Sequence, residues 1–487
     1  MLIRLSKNTF VRNYGNFTYV FHKLNCYDEM FDSAEVFMRW ITREPREKAE
    51  IIKNICSVYT DADTNEITAD FEEFIAPMIA AGAILAGDTP AELDAQEVSF
   101  RYDMPHPKTE RDTTPVTKEE AEKMPQIVLK KYFESHPTLF DIQLDITQAC
   151  TERCIHCYVP EYNALFLPYE KICEVVDEFR EMGGLHVGLS GGECMLHPDF
   201  EKIVRYIRSK DCTCGVLSNL TLCDDEKVAL LNEMDCAVQV SLYSMNPEIH
   251  ESITQRKGSW LETKTAIEKL YKANVPVTIS CPTMQKNFEG YLEVMKYAES
   301  MYMFAQTDFI MMAKADHDDS NLVNRLTLPQ TKCLLEDIIL RDVPMMKEYF
   351  NPDVKNELRT PEERAEDHLC GAGTDKMCLN ADGNYYACSG FQDYPLGNCF
   401  KQSLRDVWEN SPQIKYLRGL RGKDIPQCIH CEDRNYCSMC LVRNFNETGD
   451  MLKVAPHFCK VAHLNHEIVD ELHAKLEKEY RAEHAKK

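Results

Sequence analysis

Phe140-Asp-Ile-Gln-Leu-Asp-Ile146-Thr-Gln-Ala149-Cys150-Thr-Glu-Arg-Cys154-Ile-His156-Cys157-Tyr158 joins an apolar run that reads as a strand to three thiols within eight residues. A four-iron, four-sulfide cubane takes Cys thiolates as its usual protein ligands, so a tight triplet holds three corners and leaves one iron open to chemistry. The plainer reading is a structural zinc knot. Zinc closes four ligands and takes them more often as paired Cys-x2-Cys units than as Cys-x3-Cys-x2-Cys.

Working outward, residues 137 to about 315 alternate short apolar runs with helical stretches, the pattern of strand-helix units and a parallel sheet. The expected strands are Phe140–Ile146, His186–Leu189, Gly215–Leu217, Ala237–Leu242, Val275–Cys281 and Asp308–Met312. Six units make an α/β fold with a partial, TIM-like (β/α)6 barrel, whose site is built at the carboxyl ends of its strands. The polar clusters fall at those ends. The cysteines follow the first strand, Ser190-Gly191-Gly192-Glu193 the second and Ser218-Asn219 the third, and Ser241 closes the fourth.

The 487 residues predict about three domains, and 44% hydrophobic content is enough for real cores. A formal charge of −24 argues against nucleic acid and anionic membrane as partners, since both call for a surplus of Lys and Arg. The start carries no apolar signal-peptide core, and the longest apolar run, near Ile75 to Leu85, is too short to span a bilayer, so a cytoplasmic location is expected. In that compartment 22 cysteines point to metal or redox chemistry rather than disulfides. Two of them precede residue 150, and nine lie between Cys370 and Cys459. Cys194, Cys212, Cys214, Cys223, Cys236, Cys281 and Cys333 have no ligand spacing.

Residues 1–100 read as a separate module, a hairpin turning near Tyr14-Gly15-Asn16 followed by amphipathic helices. In the last helix Phe71, Phe74, Ile75, Met78 and Ile79 recur at helical spacing, with Gly82 as its stop. Residues 101–136 are Pro-punctuated and charged, a linker; 137–330 hold the barrel, 331–369 connecting helices, 370–465 a cysteine-rich domain and 466–487 a terminal helix.

The Cys-x3-Cys-x2-Cys triplet resembles the signature of the radical S-adenosylmethionine (SAM) enzymes. That resemblance implies that the amino and carboxylate groups of the cosubstrate chelate the open iron, and that an electron from the cluster yields methionine and a 5′-deoxyadenosyl radical. By the same resemblance the backbone of Gly191-Gly192-Glu193 and the Glu193 carboxylate meet the cosubstrate ammonium. His156 takes the place of an aromatic against the adenine, Asn219 and Ser241 bond the ribose and carboxylate, and Arg256, in the segment from Ser241 to Trp260, assists the carboxylate. The first module resembles a winged helix-turn-helix, in particular the leader-peptide recognition element of peptide-modifying enzymes.

Cys370, Cys378, Gly383, Cys388, Cys399, Cys428-Ile-His-Cys431, Cys437-Ser-Met-Cys440 and Cys459 resemble the SPASM extension, which carries auxiliary iron–sulfur clusters. Successive Cys-x2-Cys units are also zinc-ribbon spacing. The resemblance implies three 4Fe–4S clusters in all. Cys370, Cys378, Cys388 and Cys440 would hold one auxiliary cluster and Cys428, Cys431, Cys437 and Cys459 the other, with Cys399 competing for the place of Cys378. The pair Cys437-x2-Cys440 departs from the commoner x3.

The whole resembles the thioether-forming (sactionine-type) maturases of ribosomally made peptides. A precursor peptide and an external reductant such as flavodoxin or ferredoxin are then the expected partners. Carbon–carbon crosslinking or epimerisation of a peptide would leave the same sequence marks, and two rivals stand beside this reading. Sulfatase-type maturases usually carry Asp after the cysteine corresponding to Cys388, where this chain has Ser389. The other is an iron–sulfur electron carrier without catalysis.

Overall fold

The computed structural model describes residues 1–15, 17–24, 27–32, 35–59, 61–102, 124–341 and 360–484. It divides into two compact units, one of Met1–Arg101 with the stretch up to Leu129 that starts at Glu122, and a larger one containing Tyr102 and the chain from Lys130 onward.

The first unit holds β1 (Leu2–Leu5), β2 (Thr9–Asn13), β3 (Phe17–His22), β4 (Tyr27–Asp32), β5 (Arg46–Glu47) and β6 (Ile84–Gly87). They form two three-stranded antiparallel sheets, ordered β5-β1-β6 and β2-β3-β4. The expected hairpin is β2–β3, with Gly15 in its turn at φ +76°; Asn16 lies outside the described residues. The main helix runs Thr64–Ala80, starts on the Asp63 side-chain cap and buries Ile67, Phe71, Ile75 and Met78 against Ile3, Val20, Ile51 and Ile55. Gly82, at φ +71°, turns the chain out of it.

In the second unit β7 (Asp141–Asp145), β8 (His186–Ser190), β9 (Thr213–Ser218), β10 (Ala237–Ser241), β11 (Val277–Pro282) and β12 (Phe304–Asp308) pair parallel in chain order. Helices such as Tyr169–Glu181, Phe200–Ser209 and Ser259–Lys272 fill the connections. The sixth strand is corrected from Asp308–Met312 to Phe304–Asp308. It is an edge strand, half exposed, so it lacks the apolar run of a buried strand; the run after it is loop, with Met311 turned into the core.

The sheet continues past β7. β13 (Lys376–Asn380) lies parallel to β7 with Cys378 opposite Gln143 and Asn380 opposite Asp145, and β14 (Asn384–Tyr386) and β15 (Gly397–Asn398) complete nine strands.

Two sequence expectations change, the linker and the start of the terminal helix. A helix, Pro125–Ser135, stands inside the stretch read as linker and buries Leu129 and Phe133 one turn apart; residues 103–123 lie outside the described part. Between 331 and 369 the described helices are Leu328–Arg341 and Pro361–Glu366, while 342–359 are not described. The terminal helix begins at Pro456 rather than 466 and runs to His484, so Cys459 sits in its first turn.

Candidate active site

The loop after β8 lies directly on the loop after β7. Gly192 N donates to Thr147 O at 2.8 Å and Glu193 N to Ala149 O at 2.8 Å. Side chains are excluded there, because a Cβ would come 2.3 Å from Thr147 O at Gly191 and 2.3 Å from Ala149 O at Gly192. Gly191 also has φ +133°, which L-residues rarely adopt. The two glycines are thus what lets the second strand's loop carry the start of the cysteine loop.

Glu193 is 0% exposed. Its Oε1 accepts from Met195 N at 3.0 Å and the Ser218 hydroxyl at 2.8 Å, and its Oε2 from Asn219 N at 2.8 Å. Burial raises its carboxyl, and these donors partly offset that. The Cys194 thiol adds a contact to Oε1 at 3.9 Å, and the carboxylate staples β8 to β9. Asn219 Nδ2 reaches Thr151 Oγ1 at 2.9 Å and Cys150 Sγ at 3.9 Å. Arg256 donates to Thr221 Oγ1 at 3.1 Å and pairs with Glu262 at 2.8 Å. Loops of three consecutive strands are in this way tied around the triplet.

The thiols themselves crowd together. Burial, then the nearby Glu193, Glu152 and Cys157 charges, push Cys150 up to about 12; Cys154 rises well above its usual value from burial, Glu152 and Cys157. Glu152, raised to about 7 chiefly by burial, accepts from the Cys154 thiol at 3.4 Å and has a second oxygen without a partner. Cys150 and Cys154 thus hold their protons by themselves, and a cationic centre offsets both the burial and the mutual repulsion. Its donor chemistry fits an iron–sulfur cluster at Cys150, Cys154 and Cys157. His156 is kept neutral by burial, down to about 4; its Nε2 lies 3.4 Å from the Tyr243 hydroxyl and its Nδ1 has no partner. Ser241 ends β10 beside Tyr243, which forms part of the buried wall behind Cys154. Tyr243 and Glu152 escaped the sequence reading. Alternation along β10, continued two residues past Ser241, is the signal for Tyr243.

The C-terminal cysteines fall into two neighbourhoods. Cys370 feels Cys440 and Cys388, Cys388 feels Cys440, and Cys378 feels Cys388. Cys428 feels Cys437, Cys459 and Cys431, and Cys459 feels Cys437 and Cys431. Cys399 instead has Lys171, Asp382 and Glu174 as its charged neighbours. Cys378 is buried on β13, its thiol donating to Asp145 Oδ2 at 3.4 Å. Among the described residues no group of three or more Cys, His, Asp or Glu closes on a single metal ion. Burial, with neighbouring thiols adding to it, raises Cys370, Cys378 and Cys388 in the first neighbourhood and Cys428, Cys437 and Cys459 in the second.

A cleft of about 230 Å³ opens between the cysteine loop and the β13–β14 hairpin, lined by Gln148, Glu161, Asp316, Asp382, Tyr386 and Asp393 among others. Among the described residues no helix is long and apolar enough to cross a membrane.

Residues 144–298 match the Radical SAM superfamily and residues 370–432 the iron–sulfur cluster-binding domain SPASM. The chain thus carries a radical SAM domain and a SPASM domain. It is similar to the AdoMet-dependent heme synthase of Methanosarcina barkeri, 25% identical over 65% of this chain and 95% of that protein. It is equally similar to the antilisterial bacteriocin subtilosin biosynthesis protein AlbA of Bacillus subtilis, 25% identical over 62% of this chain and 67% of that one. In fold it resembles Streptococcus suis SuiB, solved bound to precursor peptide SuiA, with a TM-score of 0.63 and 14% identity over 93% of this chain and 98% of that chain.

Proposed function

We propose that the protein modifies a ribosomally made precursor peptide, joining a peptide cysteine sulfur to a peptide carbon as a thioether. The observation that carries this reading is the cleft between two cysteine fields on one continuous sheet. A peptide in that cleft has the triplet loop on one side and the β13–β14 hairpin on the other. The radical SAM and SPASM matches begin at residue 144, so Met1–Arg101, with its two sheets and helices, lies outside both, and leader-peptide recognition is the role we assign to it.

In this reading Cys150, Cys154 and Cys157 hold the radical cluster. Glu193 and the Gly191-Gly192 backbone take the S-adenosylmethionine ammonium, Asn219, Ser241 and Arg256 its ribose and carboxylate, and His156 lies against its adenine. Cys370, Cys378, Cys388 and Cys440, and separately Cys428, Cys431, Cys437 and Cys459, hold the auxiliary clusters. When bound, these groups supply hydrogen-atom abstraction and removal of one further electron, so each crosslink costs the peptide two hydrogens, one leaving in 5′-deoxyadenosine and one as the thiol proton. The chain's own contribution is to hold the cosubstrate with buried, already oriented donors and acceptors and to keep His156 neutral.

The test is anaerobic turnover with dithionite or flavodoxin and a precursor peptide, read by mass spectrometry. Formation of 5′-deoxyadenosine with leader-dependent loss of two hydrogens per crosslink supports the proposal. Deoxyadenosine with an unchanged peptide mass rejects thioether formation, and its absence from fully loaded protein favours an electron carrier.

A further inference from the structure

Three guanidiniums converge on the loop that carries Cys428, Cys431 and Cys437. Arg364 Nη1 donates to the carbonyls of Ile429 and Cys431, each at 3.3 Å. Arg434 Nη1 donates to the Cys437 carbonyl at 3.3 Å. Arg443, 7% exposed, donates through Nη2 to the Ser438 carbonyl, and its guanidinium lies 4.3 Å over the Phe458 ring, next to Cys459. Its Nη1 and the Arg364 Nε are buried with no hydrogen-bond partner.

The acids nearby are otherwise engaged. Glu447 pairs with Arg325, and Asp433 with His463 and His466. Asp308 feels the Arg443 charge, yet burial still raises its carboxyl. Among the described residues none of the three guanidiniums is paired with a carboxylate. A buried cation in this position calls for an anion. Arg434 and Arg443 both lie close enough to act on the Cys437 thiol, and Arg434 on that of Cys428, and a cubane bound by four thiolates is a net anion that gains one more negative charge on reduction.

The other cysteine neighbourhood differs. Cys378 faces the Asp145 carboxyl, with Asp382 also raising its thiol, and Lys376 is the cation that acts on Cys370.

We propose that Arg443, supported by Arg434 and Arg364, is the counter-charge of the iron–sulfur cluster held by Cys428, Cys431, Cys437 and Cys459, and makes it the more readily reduced of the two auxiliary centres. This rests on the assignment of that cluster under the proposed function. A cation beside the cluster stabilises the reduced state, so these arginines raise its potential; Arg443 is a positioning residue for charge, outside the reacting atoms.

The experiment is an EPR-monitored redox titration of the reconstituted full-length protein, wild type against Arg443→Met, Arg443→Lys and Arg434→Gln, with iron counted in each. The expected result is that Arg443→Met makes one auxiliary centre about tenfold harder to reduce, ~59 mV for a one-electron couple, while the other signal stays in place. Arg443→Lys should keep most of the wild-type potential, and Arg434→Gln, at a less buried side chain, should shift the same signal the same way. Unchanged potentials in Arg443→Met at full iron content overturn the proposal. If Arg443→Met loses iron, Arg434→Gln decides: a lowered potential supports the counter-charge role, an unmoved one rejects it. Wild-type protein that binds no second auxiliary cluster removes the underlying assignment before any arginine variant is compared, so the two failures are distinguishable.

Discussion

A Cβ on Gly192 would stand 2.3 Å from the carbonyl oxygen of Ala149, the residue just before Cys150. The contact is backbone against backbone, so no side chain can rotate away to relieve it. Gly192→Ala should displace the cysteine loop at a cost of about 1–3 kcal/mol. Cosubstrate cleavage should fall at least as far as that displacement implies, roughly tenfold or more. Normal deoxyadenosine formation in this variant, measured by mass spectrometry, would show that the two loops need not touch for function.

Cys150→Ala, Cys154→Ala and Cys157→Ala should each abolish cleavage of S-adenosylmethionine, since two thiolates cannot replace three on the proposed cluster. Iron should drop from about twelve to about eight per chain if the auxiliary clusters are intact. Retained cleavage in any of the three removes the central assignment.

Cys378 and Cys399 can be separated. Cys378 has Cys388 as a neighbour, whereas Cys399 sits among Lys171, Asp382 and Glu174. Cys378→Ala should therefore change the spectrum of one auxiliary cluster, and Cys399→Ala should leave iron content and spectra as in wild type. The reverse pattern would hand the ligand role to Cys399.

Removal of residues 1–100 should spare uncoupled deoxyadenosine formation and weaken turnover of the full precursor. With a leaderless core peptide the two proteins should behave alike. Equal rates on the full precursor would exclude the first unit as a recognition element.

Asp141, at the start of β7, is raised to about 6 by burial, against the opposing effect of Lys376. Below the ordinary carboxyl range both folded and unfolded chains keep the proton; between that range and about 6 the folded chain binds it better. Its contribution to stability is thus fully present at low pH and is lost as pH rises through the folded value. Asp141→Asn should match wild type near pH 4 and exceed it above pH 7, by about 1–2 kcal/mol after allowance for partial solvation. Thermal melts of the metal-free protein across that range check this, and a difference independent of pH would refute it.

The triplet and the order of strands were legible because both are local: spacing marks the thiols, and alternation marks each buried strand. The sixth strand was misplaced because an edge strand with Phe304 exposed carries little alternation. The pairing of β13 with β7 joins residues more than 200 positions apart, Cys378 and Asp145 being 233 apart, and no local pattern records it. The double duty of Glu193, a staple as well as the candidate ammonium ligand, was hidden for a similar reason: its donors include Met195, Ser218 and Asn219, two of them on another strand's end. Helix Pro125–Ser135 was obscured by the polar, Pro-rich segment before it.

The strand that begins the SPASM hairpin lies against the strand that launches the radical-cluster loop, in register from Lys376 opposite Asp141 to Asn380 opposite Asp145. The two cysteine fields are thus meshed like teeth on a single rack. A tether between them would let their separation breathe with solvent and temperature; a ladder of amide hydrogen bonds sets it to a fixed number of residue steps. A peptide carbon presented between them would therefore meet both at one constant span, and lengthening the chain between residues 341 and 360 should leave that span unchanged.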